Sequence, residues 1–190
     1  MSRQHLSTYL AYLLRHKPEQ LELTMDRHGW VSVEELIQKM QSAGYRDFTR
    51  EQLNEIVRKD NKGRFRIQEA EDRIKACQGH TIPWVIPELT YGQPPQVLYH
   101  GTTSEACAMI QASGHISRQK RHAVHMQADV SKAWQSARRW KKIPVVLVID
   151  ARSMVRDGFL FGVSDNQVWC TESVPTGYIL NILQDTADTD

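Results

Sequence analysis

The segment RFRIQEAEDRIKA, residues Arg64–Ala76, carries the clearest strand pattern in the first half of this 190-residue chain. Polar and apolar residues alternate in Arg64–Ile67 and again in Arg73–Ala76, which is the period of a strand with one buried face. The acidic residues between the two runs are compatible with a turn. The segment therefore predicts a β-hairpin.

Three helical patterns precede this hairpin. The first has leucines at helical spacing from Leu6 onward, and it should end near Lys17 because Pro18 cannot continue the hydrogen-bond ladder. The other two begin with the capping-box sequences Ser32–Glu35 and Thr49–Gln52. Three helices followed by a hairpin predict a winged helix.

A proline-rich segment, residues 83–95, separates this half from the rest of the chain. It contains four of the seven prolines and interrupts the periodicity on both sides. Beyond it the pattern predicts strands at 97–100, 122–126, 144–149, 168–171 and 177–180, and helices at 104–112 and 130–140. The run PVVLVI at 144–149 is typical of a strand buried on both faces.

The chain is therefore expected to be an α+β protein with two lobes. The predicted divisions are a winged-helix lobe at 1–82, a linker at 83–95, a β-rich lobe at 96–184 and a disordered tail at 185–190.

Composition argues against several classes of protein. The chain has no apolar run of about 18 residues and no signal-peptide pattern, so we expect a cytoplasmic protein with no membrane segment. Its three cysteines are too widely spaced to predict a disulfide framework. No GxGxxG or P-loop motif occurs, and Cys77 with His80 gives only half of a zinc-type spacing, so no metal is expected.

The net charge of +2 conceals a basic segment. Between His115 and Lys142 there are eight lysines and arginines and a single acid, Asp129. Such a segment is typical of a site that binds a phosphate or a nucleic acid, but also of a solvated basic helix face. The charges alone leave both interpretations open.

Three arginines from separate elements are predicted to stay outside the apolar core. On a helical wheel Arg15 lies opposite the leucines, with His16 on the flank, and Arg139 lies opposite the apolar stripe of its own helix. Arg64 should face away from its buried neighbour Phe65. A guanidinium group can bind two phosphate oxygens through two parallel hydrogen bonds, so these side chains are candidate phosphate ligands. Each alone is also typical of a protein surface.

Residues Tyr99–Thr103, YHGTT, form a second candidate site at a predicted strand end. The glycine would let the backbone approach a ligand while the histidine and hydroxyls project from the strand. His122 and His125 should face opposite sides of one strand, which makes them a poor metal pair.

The chain resembles the NAD-dependent RNA 2′-phosphotransferases over nearly its whole length. The resemblance rests on an ordered set of motifs: LLRHKP at 13–18, KGRF at 62–65, CQGHT at 77–81, LYHGT at 98–102, RHAVHM at 121–126, ARRWKKIPVVLVID at 137–150 and NQVWCTESV at 166–174. It implies a winged-helix lobe, an ADP-ribosyltransferase-like lobe and a substrate cleft between them.

The resemblance also implies roles for individual residues. It carries a catalytic set over to Arg15, His16, Arg64 and Arg139, and NAD-binding positions to Tyr99, His100, Gly101, Thr102 and His125, with no metal. Arg138 is the open alternative to Arg139, because one extra residue precedes Pro144. Gln167 and Cys170 stand where the family usually has glycine and leucine.

The reaction implied has two steps and consumes NAD as a co-substrate. An RNA 2′-phosphate attacks the nicotinamide-bearing ribose carbon, which releases nicotinamide and leaves an ADP-ribosylated RNA 2′-phosphate. The 2″-hydroxyl then attacks the phosphorus, giving RNA with a free 2′-hydroxyl and ADP-ribose 1″,2″-cyclic phosphate. A spliced tRNA is the best-known type of substrate for this family, and we expect a monomer.

Two other functions remain open on the residues alone. One is a winged-helix nucleic-acid-binding protein without catalysis, which would leave the YHGT motif unexplained. The other is an ADP-ribosyltransferase that modifies nucleic-acid phosphates and stops after the first step. Only the phosphotransferase needs both His16 and the full arginine set.

Overall fold

The computed structural model describes residues 3–185 of the chain. These residues divide into two compact units, the first formed by 3–88 with 120–122 and the second by 89–119 with 123–185. Across the described residues the protein is a mixed α/β structure with six α-helices and several small antiparallel sheets.

The first unit contains three α-helices and a three-stranded antiparallel sheet. Its elements are α1 (Arg3–His16), β1 (Val31–Ser32), α2 (Val33–Ser42), α3 (Arg50–Lys59), β2 (Phe65–Gln68) and β3 (Arg73–Ala76), with 3-10 turns at Pro18–Leu21 and Glu69–Glu71. The strand order is β1-β3-β2, so the predicted hairpin is confirmed and a short third strand is added to it. A strand of two residues is too short to show a period in the sequence.

The predicted starts of α2 and α3 are also confirmed. The Ser32 hydroxyl accepts a hydrogen bond from the Glu35 amide at 3.3 Å, and the Thr49 hydroxyl accepts one from the Gln52 amide at 3.4 Å. The Glu35 carboxylate, however, accepts from the amide and hydroxyl of Thr24. The side-chain hydrogen bond that Glu35 would make in a capping box is thus replaced by a tertiary contact.

The leucine face of α1 packs into the core of the first unit. Leu10, Leu13 and Leu14 are fully buried there, together with apolar side chains from the other two helices and the sheet. The helix ends at His16, two residues before Pro18, as the sequence predicts.

The second unit is built from short strands with three small helices. Its elements are β4 (Thr90–Tyr91), β5 (Val97–Thr103), α4 (Ser104–Ser113), β6 (His115–Ser117), β7 (Val124–Met126), α5 (Val130–Ala137), β8 (Pro144–Asp150), α6 (Ala151–Arg156), β9 (Gly162–Val163), β10 (Trp169–Thr171), β11 (Ser173–Pro175) and β12 (Ile179–Gln184). The sheets have the orders β12-β8-β5, β4-β9-β10-β7 and β11-β6. The central position of β8 explains the unbroken apolar run at 144–149, since β8 has a neighbour on each edge and most of its side chains are buried.

Several predicted boundaries in this unit are wrong. The helix expected at 130–140 ends at Ala137, and the strand expected at 97–100 continues to Thr103. Residues 176–178 form a 3-10 turn, so the last strand begins at Ile179 and is longer than predicted. The strand at 122–126 is confined to 124–126, and α6 was not predicted.

Of the predicted tail at 185–190, only Asp185 is described. Its carboxylate accepts two hydrogen bonds from Arg138, and residues 186–190 lie outside the described part of the chain. No helix among the described residues is long and apolar enough to cross a membrane. The winged-helix and ADP-ribosyltransferase-like assignments stay predictions.

Candidate active site

The end of α1 is covered by the segment 77–81 of the same unit. The Thr81 amide donates a hydrogen bond to the Arg15 carbonyl at 2.9 Å. Gly79 adopts a positive φ of 90°, and a Cβ there would lie 3.6 Å from the Arg15 Nε atom. Glycine at this position therefore allows the turn that brings the segment over Arg15.

Arg15 is consequently more enclosed than its place on the helical wheel suggests. Its Nε atom is buried and has no hydrogen-bond partner among the described residues. Burial, together with the nearby guanidinium groups of Arg64 and Arg121, lowers the pKa of Arg15 to about 10. The group remains charged at neutral pH, and a desolvated cation beside two others favours binding of an anion.

Arg64 is held immediately before β2 by an acidic partner. Its guanidinium forms an ion pair with Asp60, which also accepts a hydrogen bond from the Arg64 amide. The Asp60 carboxylate is only 1% exposed. Phe65 is buried as expected, so Arg64 lies outside the apolar core as predicted, but Asp60 was not identified from the sequence.

His16 is positioned by a hydroxyl. Its Nδ1 atom lies 2.9 Å from the Thr81 Oγ1 atom. Burial lowers the pKa of His16 below its usual 6.5, and the positive charges of Arg15 and Arg121 lower it in the same direction. The imidazole is therefore mainly neutral at pH 7 and able to accept a proton.

Arg121 completes this basic cluster, defined here as Arg15, His16, Arg64 and Arg121. It comes from the short segment 120–122, where the His122 Nε2 atom donates to the Ile82 carbonyl at 2.9 Å. Burial lowers the pKa of Arg121 as well. Arg121 belongs to the basic segment between His115 and Lys142, but local spacing in the sequence does not reveal its proximity to Arg15.

His80 is buried behind the cluster, and neither ring nitrogen has a hydrogen-bond partner among the described residues. Burial lowers the pKa of His80 to about 4, with a further contribution from Arg15. A Cβ on Gly29 would lie 2.8 Å from the His80 Nε2 atom, so the imidazole packs tightly against that glycine. His80 is a neutral packing group at pH 7.

In the second unit, the predicted NAD-binding residues lie on β5 and β7. The His100 Nδ1 atom lies 2.9 Å from the His125 carbonyl, which can only accept, so Nδ1 carries the proton. In the neutral ring the Nε2 atom is then an acceptor, suited to a hydroxyl group. Tyr99 and Gln127 exchange two backbone hydrogen bonds of 2.8 Å, which fix the two strands at this point.

The structure gives a different reason for Gly101 than the sequence suggests. The glycine lies inside β5, and a Cβ there would lie 2.0 Å from the Ala133 carbonyl oxygen of α5. It is required for close packing of the helix on the strand, and it does not stand at a strand end as predicted. Its neighbour Thr102 is buried.

The two candidate arginines after α5 have different surroundings. Arg138 donates two hydrogen bonds to Asp185, at 3.0 and 3.1 Å, and its guanidinium lies 5.3 Å from the Trp134 ring centroid. Arg139 is exposed, and its Nε atom lies 3.3 Å from the Ser136 carbonyl. The carboxylate of Asp185 thus holds Arg138, whereas Arg139 contacts the carbonyl of its own turn.

The two departures from the family pattern are structurally distinct. Gln167 has a φ of 62°, the left-handed conformation that favours glycine, in the turn before β10. Cys170 lies within β10, and burial raises the pKa of its thiol to about 12, so it is not a reactive nucleophile.

Comparison with known proteins identifies the family. Residues 1–173 match the model of the "RNA 2'-phosphotransferase, Tpt1 / KptA family". The chain belongs to this family. It is therefore an enzyme of the RNA 2′-phosphotransferase class, with RNA as the implied substrate.

Relatives named "Probable RNA 2'-phosphotransferase" share about two fifths of their residues with this family member. The protein of Rhizobium leguminosarum bv. trifolii is 43% identical over 92% of this chain and 91% of its own length. That of Streptomyces coelicolor is 41% identical over 92% of each chain, and that of Pseudomonas savastanoi pv. phaseolicola 40% over 90% of each.

Proposed function

We propose that this protein removes an internal 2′-phosphate from RNA by transferring it to NAD. The products would be RNA with a 2′-hydroxyl, nicotinamide and ADP-ribose 1″,2″-cyclic phosphate. The observation that supports this most strongly is the basic cluster in the first unit, where the partly desolvated Arg15 and two further arginines adjoin a histidine whose pKa is lowered. Membership of the family supplies the substrate class.

In the first step, an oxygen of the RNA 2′-phosphate forms a bond to the ribose C1″ atom as the bond to nicotinamide breaks. The phosphate needs no base, and nicotinamide leaves as a neutral molecule, so the main requirement is correct placement of the reactants. We assign Arg15, Arg64 and Arg139 to bind the phosphate oxygens. The choice of Arg139 over its neighbour Arg138 follows the family resemblance.

In the second step, the 2″-oxygen attacks the phosphorus and the RNA 2′-oxygen leaves. The proton lost by the 2″-hydroxyl balances the proton gained by the RNA oxygen. Negative charge increases at phosphorus, so fixed guanidinium groups stabilise this step, and His16 assists the proton transfer. Histidines in such roles contribute about 10² to 10⁴-fold.

The residues proposed to hold NAD are Tyr99, His100, Gly101, Thr102 and His125. The tautomer of His100 favours this role. With the proton at Nδ1, the Nε2 atom is an acceptor that fits a ribose hydroxyl. Gly101 would contribute through its backbone, since the space at its Cβ position is already filled by α5.

The deciding experiment uses NAD and an oligonucleotide carrying one internal 2′-phosphate. We expect release of nicotinamide together with loss of the RNA phosphate. If the phosphate remains and no nicotinamide appears, the proposal fails. If ADP-ribosylated RNA accumulates with its phosphate retained, the enzyme is instead a transferase that stops after the first step.

Two substitutions test the assigned roles in the same assay. His16→Ala should slow the second step more than the first, so ADP-ribosylated RNA should accumulate, whereas equal slowing would contradict the role of His16. Arg139→Ala should lower turnover by about a hundredfold, while Arg138→Ala should change it by no more than about twofold. The reverse order would assign the phosphate contact to Arg138.

A further inference from the structure

A groove in the first unit adjoins His16. Its volume is about 900 Å³, within the range of pockets that bind small organic ligands. Pro18, Leu23 and Ile82 contribute apolar surface, and the rings of Tyr12 and Trp84 line it as well. The groove therefore offers flat aromatic and apolar surfaces beside the proposed proton-transfer group.

Trp84 is held in an exposed position. The side chain is 51% exposed, although its neighbours Ile82 and Val85 are buried. The Val85 amide donates a hydrogen bond to the Ile82 carbonyl at 3.2 Å, which closes the turn that carries the tryptophan. An exposed indole on an anchored turn costs little conformational entropy on binding, and this arrangement favours a ligand that stacks on it.

The groove continues along one face of α1. His5, Tyr9, Tyr12 and His16 are spaced four, three and four residues apart, so they share a face that does not carry the core leucines. Tyr12 lines both the groove and a second cavity of about 330 Å³ that includes His5, Tyr9 and Tyr45. The ring centroids of Tyr12 and His16 lie 6.1 Å apart.

The charges at the groove favour a neutral ligand over a phosphate. Its two acidic residues are both paired, Glu19 with Lys17 at 3.1 Å and Glu22 with Lys39 at 3.0 Å. These two ion pairs thus add no net charge at the groove, whereas the basic cluster provides the anion site. A nucleobase, which is flat and uncharged, matches the groove better than the RNA backbone does.

We propose that the groove binds the base of a nucleotide next to the 2′-phosphorylated one, with Trp84 and Tyr12 as stacking surfaces. The aromatic face of α1 then extends the contact to a further nucleotide of a single strand. This inference rests on the proposed function, because it requires the 2′-phosphate to bind beside His16. It assigns recognition of the RNA flanks to a site other than the basic cluster.

The first test measures steady-state kinetics with a 2′-phosphorylated oligonucleotide. Trp84→Ala should raise the KM for RNA about tenfold, as expected for loss of one base stack, with the kcat and the KM for NAD nearly unchanged. Trp84→Phe retains an aromatic face and should stay within about threefold of the parent. Tyr91→Ala, at an aromatic side chain in the second unit that is 68% exposed, is the matched control and should have no effect.

Truncated substrates separate stacking from an indirect effect on His16. Removing the flanking nucleotides on the side that occupies the groove should raise the KM of the parent enzyme and abolish the difference between the parent and Trp84→Ala. An equal increase in KM for full-length and truncated RNA would overturn the inference, because it would indicate displacement of the active site. An unchanged KM in both Trp84→Ala and Tyr12→Ala would also overturn it.

A binding measurement distinguishes failure of this inference from failure of the proposed function. Fluorescence anisotropy of a labelled 2′-phosphorylated oligonucleotide gives the Kd without NAD and without turnover. Weaker binding by Trp84→Ala supports the groove even if no phosphate is transferred to NAD. Normal transfer with unchanged Kd and KM in the variants would overturn the groove assignment and leave the proposed function standing.

Discussion

The candidate residues of the two units are held in different ways. In the first unit the end of α1 is enclosed by the segment 77–81, and burial lowers the pKa of both Arg15 and His16. In the second unit Arg139 is exposed beyond the end of α5, with a hydrogen bond of 3.3 Å to its own turn. The first arrangement fixes charge in advance of binding, whereas the second presents a cation on an exposed turn.

The largest expected effect is at the enclosed end of α1. Arg15→Ala should lower turnover of 2′-phosphorylated RNA by about 10² to 10³-fold, because a fixed and partly desolvated cation is lost from the phosphate site. The rate of phosphate release is the measurement. Arg58→Ala, at an exposed arginine of α3, is the matched control, and a similar loss in both variants would contradict the special position of Arg15.

The next largest effect is a loss of folding stability at acid pH. The pKa of His80 is about 4 in the folded protein, against about 6.5 for an unfolded histidine, so the unfolded chain binds a proton first as the pH falls. The stability of the fold should therefore decrease between pH 6.5 and pH 4, by on the order of 3 kcal/mol from this group.

Urea unfolding across this pH range gives the measurement. In His80→Phe the part of the decrease due to this histidine should disappear, since the ring cannot titrate and neither nitrogen had a partner to lose. Parallel pH profiles for the parent and the variant would show that His80 is not the group responsible.

A smaller effect is expected at the hydroxyl that orients His16. Thr81→Val removes the partner of the His16 Nδ1 atom, and the second chemical step should slow by about tenfold, which corresponds to one hydrogen bond. Thr81→Ser should restore the rate. If the serine variant is as slow as the valine variant, the threonine acts through packing instead of through the hydrogen bond.

The smallest effect is a gain of stability in the second unit. Gln167 adopts a left-handed conformation that costs a side-chain-bearing residue about 1 kcal/mol. Gln167→Gly should therefore raise the free energy of unfolding by less than about 1 kcal/mol, because the greater freedom of glycine in the unfolded chain offsets part of the gain, and the melting temperature should rise slightly. Gln119, with a φ of 51°, is a matched second site for the same substitution.

Elements with a local cause were predicted well. The starts of α2 and α3 follow from Ser32 and Thr49, the end of α1 from Pro18, and the hairpin from its alternating residues. These signals act over three or four neighbouring residues. Boundaries without such a signal were missed: α5 ends three residues early, and the two-residue strands have no period to detect.

The sequence by itself determined the longer helices and strands and several of their ends, because capping, proline geometry and hydrophobic periodicity are local properties. Only the tertiary structure decided that Arg15 is enclosed, that Arg121 joins it, and that Gly101 makes room for α5. These outcomes depend on segments far apart in the chain. Their burial and charge interactions arise only when packing brings those segments together.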